Sequence, residues 1–229
     1  MSLYVIGDPH LSLGVDKPMD IFQGWGNYVD KLKENWLQAI SDDDTIVVAG
    51  DISWGMSMKE ALPDFKFIDG LPGKKIFLKG NHDYWWETKT KSERFFTENG
   101  ISTISILFNN AYEVEGKIVC GTRGWFYDAH DAQDVKVLNR EVGRLRLSLN
   151  AAANLKGEPI VFLHYPPVFA GKECSEIFDV LLEYGIKKCY YGHLHGKRAA
   201  SLAMVGGYKG VELKLISCDN TQFKPIRVV

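Results

Sequence analysis

Asp8 and His10 in "DPH", Asp51 in "AGD", Asn81, His82 and Asp83 in "GNHD", His164 in "FLHYPP", and His193 and His195 in "GHLH" form five blocks of side chains able to do chemistry. Of the six histidines in the chain, only His130 lies outside these blocks. Carboxylate and amide oxygens mixed with imidazole nitrogens, without thiolates, suit divalent Mn, Fe, Co or Zn. The donors are too many for one tetrahedral ion. They suit two ions about 3.5–4 Å apart that share a carboxylate and clamp an in-line displacement at phosphorus.

The elements that must position these residues can be read from hydrophobic period. "LYVIGD" (3–8), "TIVVAGD" (45–51), "KKIFLKGNHD" (74–83), "PIVFLHYPP" (159–167) and "KKCYYGHLHG" (187–196) are apolar runs with the length of strands, and each ends in one of the blocks. Ligands of open α/β sheets bind beyond the carboxyl ends of the strands, so one rim is expected to collect all five. Between them lie helical patterns. Val29, Leu32, Trp36 and Ile40 keep helical spacing over 28–40, and Ser57 with Glu60 reads as a capping box opening another helix. "KSERFFTENG" reads as a helix closed by Gly100 and "CSEIFDVLLEYG" as a further one; 131–154 is long and amphipathic, with Val135, Leu138, Val142, Leu145 and Leu149 on one stripe. "AYEVEGKIVCGT" reads as a hairpin turning at Glu115-Gly116, and 200–228 as β-structure. Alternating β and α elements with antiparallel pieces predict a layered α/β domain with a mixed sheet or two stacked sheets.

The chain has 229 residues, 45% of them apolar and 24% charged, as expected of one ordinary globular domain covering 1–229. A net charge of −2 offers no basic face and argues against a long nucleic-acid substrate. No basic leader precedes an apolar stretch and no segment reads as a membrane span, so a cytoplasmic location is expected. Cys120, Cys174, Cys189 and Cys218 are widely spaced and are read as reduced, buried thiols.

The blocks D-x-H, G-D, G-N-H-D, H and G-H-x-H, in this order from residue 8 to 195, resemble the calcineurin-like metallophosphoesterase family, and "GDISWGMS", "GNHDYWW" and "GTRGW" are similar to a bacterial subgroup of predicted phosphohydrolases within it. The resemblance implies a four-layer α/β/β/α sandwich with two mixed sheets and a dinuclear site at its edge. It places Asp8, His10, Asp51 and His195 on one metal, and Asn81, His164 and His193 with the bridging Asp51 on the other. It makes His82 the residue that stabilises charge on the phosphate and protonates the leaving oxygen, oriented by Asp83, with a metal-bridging hydroxide as nucleophile attacking in line. No tyrosine sits in the first block, so nothing resembles the tyrosine–iron(III) ligation of purple acid phosphatases, and Pro9 is an uncommon spacer that leaves both ligands in place. The expected partner is a small phosphorylated substrate, monoester or diester. A cyclic-nucleotide phosphodiesterase or nuclease is the alternative enzyme; a metal-binding interaction scaffold is the alternative from another class.

Substrate contacts outside the blocks are fewer. Arg123 follows a strand and either grips a phosphate or makes a structural ion pair. His130 either lies near the mouth of the site or is a solvated loop residue. The segment 123–155 is the natural place for a substrate cap. Trp54, Tyr84, Trp85 and Trp86 follow metal blocks and either stack a ring of the substrate or fill the core.

Overall fold

A computed structural model describes residues 1–125 and 131–229. The elements, in chain order, are β1 (Leu3–Ile6), α1 (Tyr28–Ala39), β2 (Thr45–Ala49), α2 (Leu62–Asp69), β3 (Lys74–Leu78), α3 (Lys89–Glu98), β4 (Ile104–Ile106), β5 (Tyr112–Val114) and β6 (Lys117–Thr122). They continue with α4 (Ala132–Ala152), β7 (Glu158–Leu163), β8 (Val168–Phe169), β9 (Lys172–Glu173), α5 (Ser175–Glu183), β10 (Lys188–Tyr191), α6 (Gly196–Leu202), β11 (Gly206–Tyr208), β12 (Val211–Leu215) and β13 (Ile226–Arg227). One mixed sheet has the order β13-β1-β2-β3-β4 and the other β11-β12-β10-β7-β6-β5, with β8 and β9 a separate short ribbon. Among the described residues of the two large sheets, antiparallel pairs lie at the edges, where β13 flanks β1, and β11 and β5 flank β12 and β6.

Alternation along the strands builds the layers. In β7, Ile160 and Phe162 face the other sheet and meet Val5, Val47, Ala49 and Leu78, whereas Val161 and Leu163 face Leu145, Leu149 and Phe178 of α4 and α5. In β2 and β3, Ile46, Val48 and Phe77 face Trp36, Phe65 and Phe96 of α1, α2 and α3. Strands buried on both faces read as continuous apolar runs for this reason. The result is the expected α/β/β/α sandwich.

Several boundaries differ from the sequence reading. The Ser57–Glu60 capping contact forms, with Glu60 N donating to Ser57 Oγ at 3.3 Å, but α2 starts only at Leu62. Pro63 has no N–H and is tolerated only in a first turn, which fixes the start there. Helix α6 ends at Leu202, inside the 200–228 stretch read as β-structure, and β4, β8 and β9 are additional short strands. The hairpin turns where expected, with Glu115 and Gly116 at φ 50° and 69°, both positive as a two-residue primed turn requires. The stripe of α4 is buried at Leu138, Leu145 and Leu149, where it packs in the core with β7 and α5. All four cysteines are free and buried.

Candidate metal centre

The parallel strands β1, β2, β3, β7 and β10 end at one rim, and the loops that leave them are tied to one another by backbone hydrogen bonds. Asp8 N donates to Gly50 O (3.0 Å), His10 N to Asp51 O (2.9 Å) and Gly192 N to His164 O (3.1 Å). Carboxylates complete the lacing: Asp51 Oδ1 accepts from His82 N (2.7 Å), and Asp8 accepts from His193 N (3.0 Å). Asp8, His10, Asp51 and His193 have φ values of 58°, 46°, 49° and 70°, in the left-handed region that non-glycine residues avoid. Such strain persists only where surrounding contacts enforce it, and it gathers at functional sites.

The motif glycines are required by this crowding. A Cβ on Gly80 would overlap Asp51 N and Oδ1, one on Gly192 would overlap Asp8 Oδ2, and one on Gly50 would stand 2.6 Å from His164 Nδ1.

The side chains converge in two groups, Asp8 with His10 and His195, and Asp51 with His164 and His193; within each group, ligating atoms lie within 4.8 Å of one another. Nε2 of His10 and Nε2 of His195 are 3.2 Å apart. In the other group His164 Nε2 lies 2.6 Å from Asn81 Oδ1 and 3.2 Å from His193 Nδ1. Asp51 Oδ2 stands between the groups, 3.7 Å from His10 Nε2 and 3.5 Å from His164 Nε2.

These positions fit cations. His195 Nδ1 faces Asp219 Oδ1 at 3.0 Å, a pure acceptor, so Nδ1 carries the proton and Nε2 presents a lone pair; His164 has an acceptor on each side, the Ala49 carbonyl 3.3 Å from Nδ1 and Asn81 Oδ1 2.6 Å from Nε2. With the His164 proton on Nδ1, toward Ala49, both Nε2 and Asn81 Oδ1 present lone pairs to the same point, an arrangement that a bound cation makes favourable. Burial first, and the neighbouring imidazoles next, hold His10 well below the usual histidine range; burial likewise takes His164 to about 3 and His193 to about 2, so all three rings are neutral near neutral pH. Burial, with Asp51 close by, raises Asp8 to about 7, and burial raises Asp51 as well. Two carboxylates buried together resist ionising until positive charge joins them.

Asp219 joins the candidate site although it lies in none of the five blocks. Burial pulls His195 down, yet the bond to Asp219 together with Asp8 outweighs it and holds His195 above its ordinary value. Asp219 Oδ2 also accepts from Gly196 N at 2.7 Å, so the carboxylate fixes both the ring and its loop. The signal was present: "GVELKLISCDN" is another strand that ends in polar residues.

His82 sits beside Trp54, ring centroids 4.4 Å apart, and borders the open cavity at the site. The expected bond from Asp83 to His82 is not formed. Asp83 Oδ1 accepts from Ile52 N (2.8 Å) and Trp85 Nε1 (2.9 Å) and Oδ2 from Gly80 N (2.7 Å), while the buried Nδ1 of His82 has no hydrogen-bond partner among the described residues. Asp83 is fully buried and acts as a clamp that joins the loops after β2 and β3.

Arg123 makes an ion pair within the protein. Its guanidinium is 3.5 Å from Glu141 Oε1 and lies over Trp125, 4.6 Å from the ring centre, while its carbonyl accepts from the N–H groups of His164 and Tyr165. His130 falls outside the described residues. Of the aromatics, Trp85 is core, Tyr84 is 55% exposed, and Trp54 stacks on His10 at 5.0 Å with the planes 21° apart.

No helix among the described residues is long and apolar enough to cross a membrane. The family model of calcineurin-like phosphoesterases matches residues 1–197. Among solved structures, the phosphopantetheinyl hydrolase of Mycobacterium tuberculosis superposes with a TM-score of 0.57 at 15% identity, over 100% of this chain and 95% of that one. A protein of unknown function from Aquifex aeolicus gives 0.54 at 17% identity, over 99% and 95%. A protein from Thermus thermophilus gives 0.54 at 12%, over 85% and 82%. At these identities the likeness speaks for the fold alone. The comparison with curated proteins gave no match. With its motif blocks in order and their side chains gathered at one rim of the sandwich, the chain belongs to the calcineurin-like phosphoesterase family, the metal-dependent hydrolases of phosphate esters.

Proposed function

We propose that the chain hydrolyses a small phosphate monoester or diester at two divalent ions, one held by Asp8, His10 and His195, the other by Asn81, His164 and His193, with Asp51 shared. The observation that carries this reading is Asp51 Oδ2 standing 3.7 Å from His10 Nε2 and 3.5 Å from His164 Nε2, one carboxylate oxygen between two nests of donors. Ions of the Mn, Fe, Co or Zn kind would supply Lewis acidity there and a water acidified to near neutrality for in-line attack at phosphorus.

The protein's own part is positioning and proton handling. Asp219 and the Ala49 carbonyl hold His195 and His164 in the tautomers that present Nε2. His82 is anchored through its backbone N–H to Asp51 Oδ1 while its ring faces the cavity, so it donates to a phosphoryl oxygen and returns a proton to the leaving oxygen. A net charge of −2 favours a small substrate over a long nucleic acid.

The test is hydrolysis of p-nitrophenyl phosphate and bis-p-nitrophenyl phosphate side by side, with Mn²⁺ and with chelator. Chelator-sensitive turnover of at least one ester is expected, and His82→Ala should lower kcat by about 10²–10⁴ with metal content unchanged. A protein that holds both ions and turns over neither ester would instead be a metal-binding scaffold.

A further inference from the structure

A cavity of about 670 Å³ opens beside the metal centre, within the size range of sites for small organic ligands. His10, His82 and His195 form its floor, and Met19, Phe22, Trp25 and Trp54 line its walls. These walls are continuous with the candidate ligands: Trp54 stacks on His10, and the edge of Trp25 packs 5.8 Å from His10 and 5.7 Å from His195 between ring centres. Phe22 is 53% exposed and its neighbour Ile21 75% exposed, although neither position is needed to close the core. Phe22, exposed in the lining of the cavity beside the candidate ligands, suits a ligand with an apolar face.

We propose that this cavity is the leaving-group pocket and that it takes a flat aromatic ring, so that the substrate is an ester of an aromatic or ring-bearing alcohol rather than of a small polyol. The inference rests on the phosphoesterase reading of the same centre. Its direction follows from His82. The group that returns a proton to the leaving oxygen must lie on the leaving-group side of phosphorus, and His82 is on the cavity floor. A phosphoryl group held between Asp51 and His82 therefore projects its leaving group toward Phe22 and Trp54. The Lys17 ammonium lies 4.0 Å from the centre of the Trp54 ring, so an exposed side chain already reaches the indole that an incoming ring would meet. Gln23, Lys197 and Asn220 also line the cavity, but a small polyol would leave Met19, Phe22, Trp25 and Trp54 wet and gain nothing from those four.

The experiment is calorimetric binding of methylphosphonate, phenylphosphonate and biphenylylphosphonate to the metal-loaded full chain, paired with hydrolysis of phenyl and biphenylyl phosphate, whose leaving groups are nearly equal in acidity. Affinity should rise about tenfold from methyl to phenyl and by a similar factor to biphenylyl, consistent with the apolar area each ring removes from water. Phe22→Ala should remove most of the second step while leaving the affinity for methylphosphonate unchanged. Equal affinities across the series, or a Phe22→Ala variant with the whole gradient intact, would overturn the pocket; continued hydrolysis of both esters would then leave the phosphoesterase reading standing. A graded binding series without hydrolysis of either ester would keep the pocket and overturn that reading.

Discussion

Asp51→Asn is expected to lower metal-dependent phosphoester hydrolysis by more than about a thousandfold, roughly 4 kcal/mol of transition-state stabilisation. The substitution keeps the volume of the side chain and an oxygen that can still accept from His82 N, so the loop after β3 stays in place. What it removes is the negative charge and the second oxygen lone-pair set at the point 3.7 Å from His10 Nε2 and 3.5 Å from His164 Nε2. An amide nitrogen there would direct N–H bonds at atoms that present lone pairs. Loss of ions from both groups, measured by elemental analysis, should accompany loss of turnover. The thermal midpoint of the metal-free protein should not fall, because the folded chain no longer has to bury a carboxylate whose ionisation is opposed by burial. An Asp51→Asn variant with near-native turnover would remove the shared-ligand role.

Gly80→Ala is the second large effect. The added methyl would overlap Asp51 N and Oδ1, and the Asp51 backbone has little freedom to yield, since its carbonyl accepts from His10 N at 2.9 Å. Either the "GNHD" loop or the "GD" loop must move, and both carry candidate ligands. Hydrolysis should fall by at least about a hundredfold, and stability by about 1–3 kcal/mol, a shift of several degrees in Tm. Gly143→Ala in α4 is the matched control, because a Cβ there meets nothing within 4 Å. It should keep full activity and gain a few tenths of a kcal/mol in stability from helix propensity. If Gly80→Ala behaved like Gly143→Ala, the tight packing of the two loops would not be a requirement of the site.

The site was legible in the sequence because its residues obey a rule of place. Each block stands at the end of an apolar run, and parallel strands buried on both faces deliver their ends to one rim. Asp8, Asp51, Asn81, His164 and His195 needed no pairing information to be grouped. The same rule applied to "GVELKLISCDN" reaches Asp219, although 200–228 holds no histidine. Asp83 shows where the rule ends. Adjacency to His82 suggested a bond between them, but a carboxylate at that position is surrounded by the backbone N–H groups of Ile52 and Gly80 and the indole N–H of Trp85, and these donors claim it. Which donor a buried carboxylate takes is set by loop geometry, which spacing does not encode.

The fold followed similar lines. Strands of five or six apolar residues and the Leu138-Leu145-Leu149 stripe were readable from period alone. Helix α6 and strands β4, β8 and β9 were not, being two to seven residues long with too few repeats for a period to show. The segment that carries Met19, Phe22 and Trp25 lies between β1 and α1 without regular structure, so its role as a cavity wall emerges only from tertiary contacts with His10, His195 and Phe223.

Counting the ions bound to the native chain bears most closely on the dinuclear reading. Chelator-treated protein titrated with Mn²⁺ or Zn²⁺ in a calorimeter, with the bound metal counted by elemental analysis, should take up two ions per chain and regain ester hydrolysis only as the second site fills. A stoichiometry of one or none, or hydrolysis that survives full removal of metal, would contradict it.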